Sequence, residues 1–194
     1  MKDFWLWFST GVEHIADFAG YDHILFVALL AIAYSFKAWK PLLLMVTAFT
    51  IGHSVSLALS VTTQLYIKTE VIEFLIALSI FITAVYNLVS LRKREQEQSK
   101  FLYLVVVFFG LIHGLGFSFL LKAMLDKEES VAFPLISFNL GLEVGQMIIV
   151  LAVLILNFGL SHIKPIPFKV YKIVVVGLIG VMALKMCVER LMFF

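Results

Sequence analysis

Ionisable side chains occur at several places inside strongly apolar stretches of this chain. The group comprises four histidines, one aspartate and one glutamate: His14, Asp22, His23, His53, His113 and Glu143. A polar group in hydrocarbon is costly unless a partner satisfies it, so each of these is a candidate functional residue. Imidazole and carboxylate together form a ligand set that suits divalent nickel, cobalt, zinc or iron. The residue types therefore predict a transition-metal site.

Helical spacing places further polar residues beside the candidates. Asn139, Glu143 and Gln146 are separated by four and three residues, so on a helix they form one polar stripe. Thr50 shares a helix face with His53 in the same way. We expect Thr50, Asn139 and Gln146 to support the metal-handling groups by hydrogen bonds rather than to bind metal themselves.

Glycines accompany two of the candidates. Gly141 and Gly145 form a small-residue ridge, which favours close packing of one helix on another. Gly110 and Gly114 flank His113, and we expect them to clear space around its imidazole.

A structural explanation competes with the functional one. Any single histidine in a membrane bundle would serve equally well as an interhelical hydrogen bond. Glu143 is harder to explain in this way, because a carboxylate at the bilayer midplane must be protonated, paired or bound to metal. The set taken together, with three histidines and two carboxyl groups in predicted spans, favours a functional polar site.

The composition requires membrane helices to position these residues. Of the 194 residues, 62% are hydrophobic and 14% are charged, and the mean hydropathy is +1.03. Soluble domains are nearer half apolar and a quarter charged, and a spanning helix needs roughly 20 apolar residues. We predict an all-α, polytopic membrane protein: one domain over residues 1–194, with six transmembrane helices after a short interfacial helix at residues 3–18. The predicted spans are 21–37, 41–62, 70–91, 101–122, 133–159 and 168–192.

Charge in the loops predicts the orientation of the bundle. Lys and Arg concentrate after the first, third and fifth spans, so those loops should be cytoplasmic and both termini outside. With this orientation, His53, His113 and Glu143 fall near the midplane of the membrane. Asp22 and His23 fall nearer the outer mouth of the same path.

Several function classes are disfavoured. The net charge of +2 is scattered, and no basic patch is interleaved with aromatic residues, which argues against nucleic-acid binding. The sequence contains no G-x-x-x-x-G-K-[ST] run, so any transport would be channel-like or gradient-driven unless a partner supplies energy. It also contains no G-x-S-x-G nucleophile motif.

Four stretches around the candidate residues carry a family pattern. They read GVEHIADFAGYDHILF, TAFTIGHSVSLALS, FFGLIHGLGFSFLL and PLISFNLGLEVGQ. The combination resembles the HupE/UreJ family of hydrogenase and urease accessory membrane proteins. The resemblance implies transport of nickel, or of cobalt, across the bacterial inner membrane. It also implies that the metal-handling residues are Asp22, His23, His53, His113 and Glu143. We add His14 as a further candidate.

Three hypotheses follow. The first is a metal permease whose partners are the metal ion as substrate and the lipid bilayer, with homo-oligomer formation left open. It requires no catalytic residue and no organic cofactor. The second is an intramembrane zinc hydrolase, in which the same ligands hold Zn²⁺ and Glu143 acts as general base. The third is a metal sensor or a non-transporting membrane subunit.

Overall fold

The computed structural model describes residues 2–18, 20–32, 34, 38–63, 67–90, 100–124, 131–161 and 167–192. Across these residues the chain forms seven α-helices. They are α1 (Lys2–Ile15), α2 (Asp22–Ile32), α3 (Trp39–Thr62), α4 (Thr69–Val89), α5 (Lys100–Met124), α6 (Ala132–Ser161) and α7 (Phe168–Leu191). The loops that carry much of the orientation signal, at residues 91–99 and 162–166, lie outside the described residues.

Helix length and surface chemistry identify a membrane protein. Four helices, α3, α4, α6 and α7, are long and apolar enough to cross a bilayer, and α2 and the Leu102–Ser118 part of α5 are shorter apolar helices. Large apolar side chains point away from the protein along these helices; Leu104, Ile136 and Leu178 are each more than 60% exposed. Such a surface is stable only when lipid covers it. The prediction of an all-α, multi-pass membrane protein is confirmed.

The helices pack chiefly as three pairs, α1 with α6, α3 with α5, and α4 with α7. Glycine brings α3 and α5 together, because the two backbones touch. A Cβ at Gly52 would overlap the Val107 carbonyl oxygen, and one at Gly110 would overlap the Phe49 carbonyl oxygen. Later residues of α3 contact later residues of α5, because Gly110 meets Phe49 and Gly114 meets Ser56, so the two helices are parallel. Gly110 therefore receives the backbone of α3, whereas the sequence had suggested that it makes room for an imidazole.

The N-terminal helix α1 packs lengthwise against α6 in a second parallel, glycine-mediated pair. A Cβ at Gly141 would overlap the Phe8 carbonyl oxygen, and one at Gly145 would overlap the Ile15 side chain. The indole of Trp7 is buried in the same contact. The predicted ridge of Gly141 and Gly145 is thus the surface of α6 against which α1 packs.

The next helix, α2, continues along α6 after a non-helical segment that follows Ile15. The Asn157 Nδ2 group of α6 donates to the carbonyl oxygens of Ile32 and Tyr34 at 3.5 and 3.3 Å. From α4, Asn87 Nδ2 donates to the Leu29 carbonyl oxygen at 2.6 Å. These amides satisfy carbonyls at the C-terminal end of α2, which would otherwise be left unpaired in lipid. Hence α1 and α2 are successive half-helices alongside one spanning helix.

The α3–α5 contact generates a stability prediction. Gly110→Ala should destabilise the protein by about 1–3 kcal/mol, because the new methyl group forces the two backbones apart. Gly177→Ala is the matched control, since a Cβ there meets no heavy atom within 4 Å; it should be neutral or slightly stabilising. Thermal unfolding in detergent, followed by tryptophan fluorescence, measures both. Equal midpoints for the two variants would contradict the proposed packing.

Candidate metal centre

Four histidines from four different helices meet inside the bundle. His14 ends α1, His23 begins α2, and His53 and His113 lie within α3 and α5. The ring centroids of His14 and His23 are 4.6 Å apart, those of His23 and His113 5.1 Å, and those of His14 and His53 5.7 Å. We call these four residues the imidazole cluster.

The break between α1 and α2 brings the first two histidines together. Seven residues separate His14 from Asp22. On a continuous helix, residues nine positions apart such as His14 and His23 would be about 13 Å apart along the axis. Because the chain leaves the helix after Ile15 and re-enters it at Asp22, the two rings instead lie in contact.

Hydrogen bonds fix the tautomer of two rings in the cluster. His23 Nδ1 lies 3.1 Å from the Asp22 carboxylate, and His113 Nδ1 lies 2.8 Å from the Phe109 carbonyl oxygen. Both partners are acceptors, so in the neutral rings Nδ1 carries the proton and Nε2 presents a lone pair. A carboxylate or carbonyl behind an imidazole orients metal-binding histidines in the same way.

Five of the six remaining imidazole nitrogens have no hydrogen-bond partner among the described residues. His14 Nε2, His23 Nε2, His113 Nε2 and both ring nitrogens of His53 are buried without a hydrogen-bond partner in the part of the chain that the structure describes. His53 is fully buried, at 0% exposure. Each buried polar atom left in this state costs about 1–3 kcal/mol. Plain interhelical hydrogen bonding therefore does not account for these rings.

Aromatic side chains wall in the cluster. The Phe117 ring lies 4.0 Å from His14, and Phe49 and Phe26 lie 5.1 and 5.4 Å from His113 (centroid distances). These walls are apolar, so they offer the imidazole nitrogens no alternative hydrogen bonds.

The spacing of the nitrogens fits a metal ion. His14, His23 and His53 each offer one ligand atom, and these atoms all lie within 4.8 Å of one another. Nitrogens that share one tetrahedral metal lie about 3.4 Å apart, given metal–nitrogen bonds of about 2.1 Å. The three rings would have to rotate inward for their nitrogens to reach that separation. The three histidines could therefore hold a divalent transition metal, and His113 lies next to them.

The other predicted residues occupy a neighbouring layer. Thr50 Oγ1 donates to Gln146 Oε1 at 2.8 Å, and Thr47 Oγ1 donates to Glu143 Oε1 at 2.8 Å. Glu143 lies outside the three-histidine group, and so does Asn139, whose Oδ1 is buried without a hydrogen-bond partner in the described chain. Sequence reasoning placed Asp22 and His23 at a separate level from His53; the structure joins them in one cluster.

A cavity of about 240 Å³ reaches the cluster from the end of the bundle where α4 begins and α7 ends. His14, His23 and His113 line it, together with Asp22. A second, more open cavity of about 610 Å³ meets it at His14 and is lined by residues of α1 and the α1–α2 break.

Sequence reasoning missed some residues that position the site. Asn157 lies eleven residues after Gln146, which is three helical turns, so it continues the polar stripe of α6 and could have been found by extending that stripe. Glu73 and Arg190 line the smaller cavity, yet they look like ordinary charges at helix ends. Their pairing joins α4 to α7 across 117 positions, which no local pattern reveals.

The Asp22–His23 contact generates a prediction about binding. Asp22→Ala should weaken nickel binding by about 10- to 100-fold, because His23 loses the acceptor that orients it. Asp22→Asn keeps an acceptor oxygen and should retain more affinity. Competition against a metal-sensitive dye measures both, with the exposed Glu189→Gln as control. Equal losses in the Ala and Asn variants would show that the carboxylate itself, rather than its hold on His23, is what matters.

Comparison with known proteins identifies the family of the chain. The family model described as HupE / UreJ protein matches residues 1–190, nearly the whole chain. No curated protein and no solved structure matches significantly. The matched segment includes every residue of the imidazole cluster, and the chain therefore belongs to the HupE/UreJ family.

Proposed function

We propose that the protein is a permease for a divalent transition metal, nickel or cobalt, in the bacterial inner membrane, with both termini outside. The observation that carries the proposal is the set of five buried imidazole nitrogens that have no hydrogen-bond partner among the described residues. A cation that enters the cluster would satisfy one nitrogen of each histidine that binds it, and His14, His23 and His53 each offer such an atom within 4.8 Å of the others. Membership of the HupE/UreJ family supports the choice of metal through the nickel transport that the resemblance implies.

The half-helices support transport rather than static storage. The last carbonyls of α1 lie beside His14, and a helix C-terminus carries partial negative charge that favours a cation. Secondary transporters use broken helices at their substrate sites for the same reason. In this proposal α1 and α2 supply His14, Asp22 and His23, and the closely packed α3–α5 pair supplies His53 and His113.

A polar row leads away from the cluster. Thr50 lies one turn from His53 on α3 and bonds Gln146, and Thr47 lies one turn further and bonds Glu143. We propose that the cation passes along this row between α3 and α6, with Glu143 as the carboxylate that it meets beyond the imidazoles.

A zinc hydrolase is the second candidate, and one observation favours it. The three-histidine group could hold Zn²⁺, and a cavity reaches that group from one end of the bundle, as a hydrolytic site requires. The proposed general base is less well placed, because Glu143 lies outside the three-histidine group and accepts a hydrogen bond from Thr47.

Replacing His53 separates metal binding from a structural role. His53→Leu should abolish the thermal stabilisation by nickel, which for the wild type should reach about 2.7 kcal/mol at a nickel concentration 100 times Kd. Without metal, the variant should be at least as stable as the wild type, because two unsatisfied nitrogens are removed. Differential scanning fluorimetry with and without NiCl₂ measures both. A variant that unfolds early without metal would instead indicate a structural histidine.

Flux distinguishes a permease from the other two hypotheses. In proteoliposomes that contain a nickel-sensitive dye, the wild type should carry nickel inward, and His113→Ala should lose most of that flux. Ser79→Ala is the control, since Ser79 is buried and its hydroxyl donates to the Ile76 carbonyl oxygen within the same helix. Bound metal without flux would favour a sensor or subunit, and hydrolysis of a peptide substrate by the zinc-loaded protein would favour the enzyme.

A further inference from the structure

The charged pair Glu73 and Arg190 lines the smaller cavity but lies apart from the three-histidine group. Arg190 Nε of α7 lies 3.8 Å from Glu73 Oε2 of α4, and the guanidinium also donates to the Glu73 backbone carbonyl oxygen. Both residues line the same 240 Å³ cavity as His23 and His113. Glu73 is about half exposed, whereas His23 and His113 are at most 5% exposed. The cavity thus runs from a solvated charge pair to buried imidazoles.

We propose that Glu73 is the carboxylate that first captures the entering divalent cation, and that Arg190 is a tethered cation that occupies Glu73 until it is displaced. The proposal rests on the proposed metal transport. Its physical basis is that the Glu73 carboxylate attracts either positive charge, so Arg190 competes with the metal for the same oxygens. The Nε2 atoms of His23 and His113 lie on the same cavity and have no hydrogen-bond partner in the part of the chain that the structure describes, so they give the captured cation its next ligands.

Other acidic groups strengthen the field at this point. Asp17 lines both cavities, and a Cβ at Gly20 would lie 3.5 Å from an Asp17 carboxylate oxygen and 3.9 Å from an Asp22 carboxylate oxygen. The carboxylates of Asp17, Asp22 and Glu73 therefore surround the approach to the cluster, with Arg190 as the opposing charge. Removing one charge from such a surface changes chiefly the association rate and its salt dependence.

Opposite effects of the two single variants test the proposal. Stopped-flow mixing of NiCl₂ with detergent-purified protein should show association at least fivefold slower for Glu73→Gln, which removes the capturing carboxylate and leaves the Arg190 charge in place. Arg190→Gln should associate at least threefold faster, and Arg190→Lys, which keeps the charge, should resemble the wild type. Both effects should shrink when the salt concentration is raised from 20 to 500 mM, because screening weakens them.

A second ion pair on α7 provides the matched control. Lys185 and Glu189 are 3.5 Å apart, exposed, and absent from the lining of the cavity. Glu189→Gln should alter the association rate less than twofold. Wild-type rates for both Glu73→Gln and Arg190→Gln, in protein that still binds nickel, would overturn this inference and leave the proposed function standing. Failure of the wild type to bind any nickel would overturn both.

Discussion

The arrangement depends on the contact of helix backbones at glycine. Where Gly52 and Gly110 meet the facing carbonyls, α3 and α5 come closer than any side chain at those positions would permit. His53 follows Gly52 directly in sequence, so the contact that joins the helices also buries that imidazole. Lipid offers little hydrophobic drive for helix association, and close packing at small residues replaces it. The position of the site is therefore set by backbone geometry rather than by polar attraction.

The second constraint is the interruption between α1 and α2. Each half-helix has its own supports on α6: glycines receive α1, and Asn157 holds the end of α2. A helix broken in this way exposes backbone groups that lipid cannot satisfy, so the break is tolerated only where it is buried in protein or lines a water-filled cavity. Here the surroundings are the imidazole cluster and its cavities. The non-helical segment between α1 and α2 thus lies next to the imidazole cluster.

The sequence predicted best those features that depend on the 3.6-residue period of a single helix. The apolar segments, the stripe of Asn139, Glu143 and Gln146, and the ridge of Gly141 and Gly145 all follow from spacing along one helix. The family assignment, made from the same residues, is confirmed over residues 1–190. The local ion pair of Lys185 and Glu189, four residues apart on α7, is also the kind of contact that spacing reveals.

Contacts between helices were beyond such reasoning. Nothing in the spacing shows that Gly110 faces Phe49 rather than an imidazole, or that Arg190 reaches Glu73. Depth within a span was a poor guide for His23, because depth arithmetic assumes an unbroken helix from the membrane surface. The role of His14 depends on the same break, since α1 presents this ring to the cluster only through its packing on α6.

The gap between the half-helices also bears on how such a site can evolve. Within a continuous helix, inserting or deleting one residue rotates everything beyond it by about 100°, and a ligand is lost from its face. Between Ile15 and Asp22 the same change falls outside both helices, so it rotates neither of them. A one-residue change between His14 and Asp22 should therefore disturb the metal-binding face less than an insertion within α3 next to Gly52 and His53.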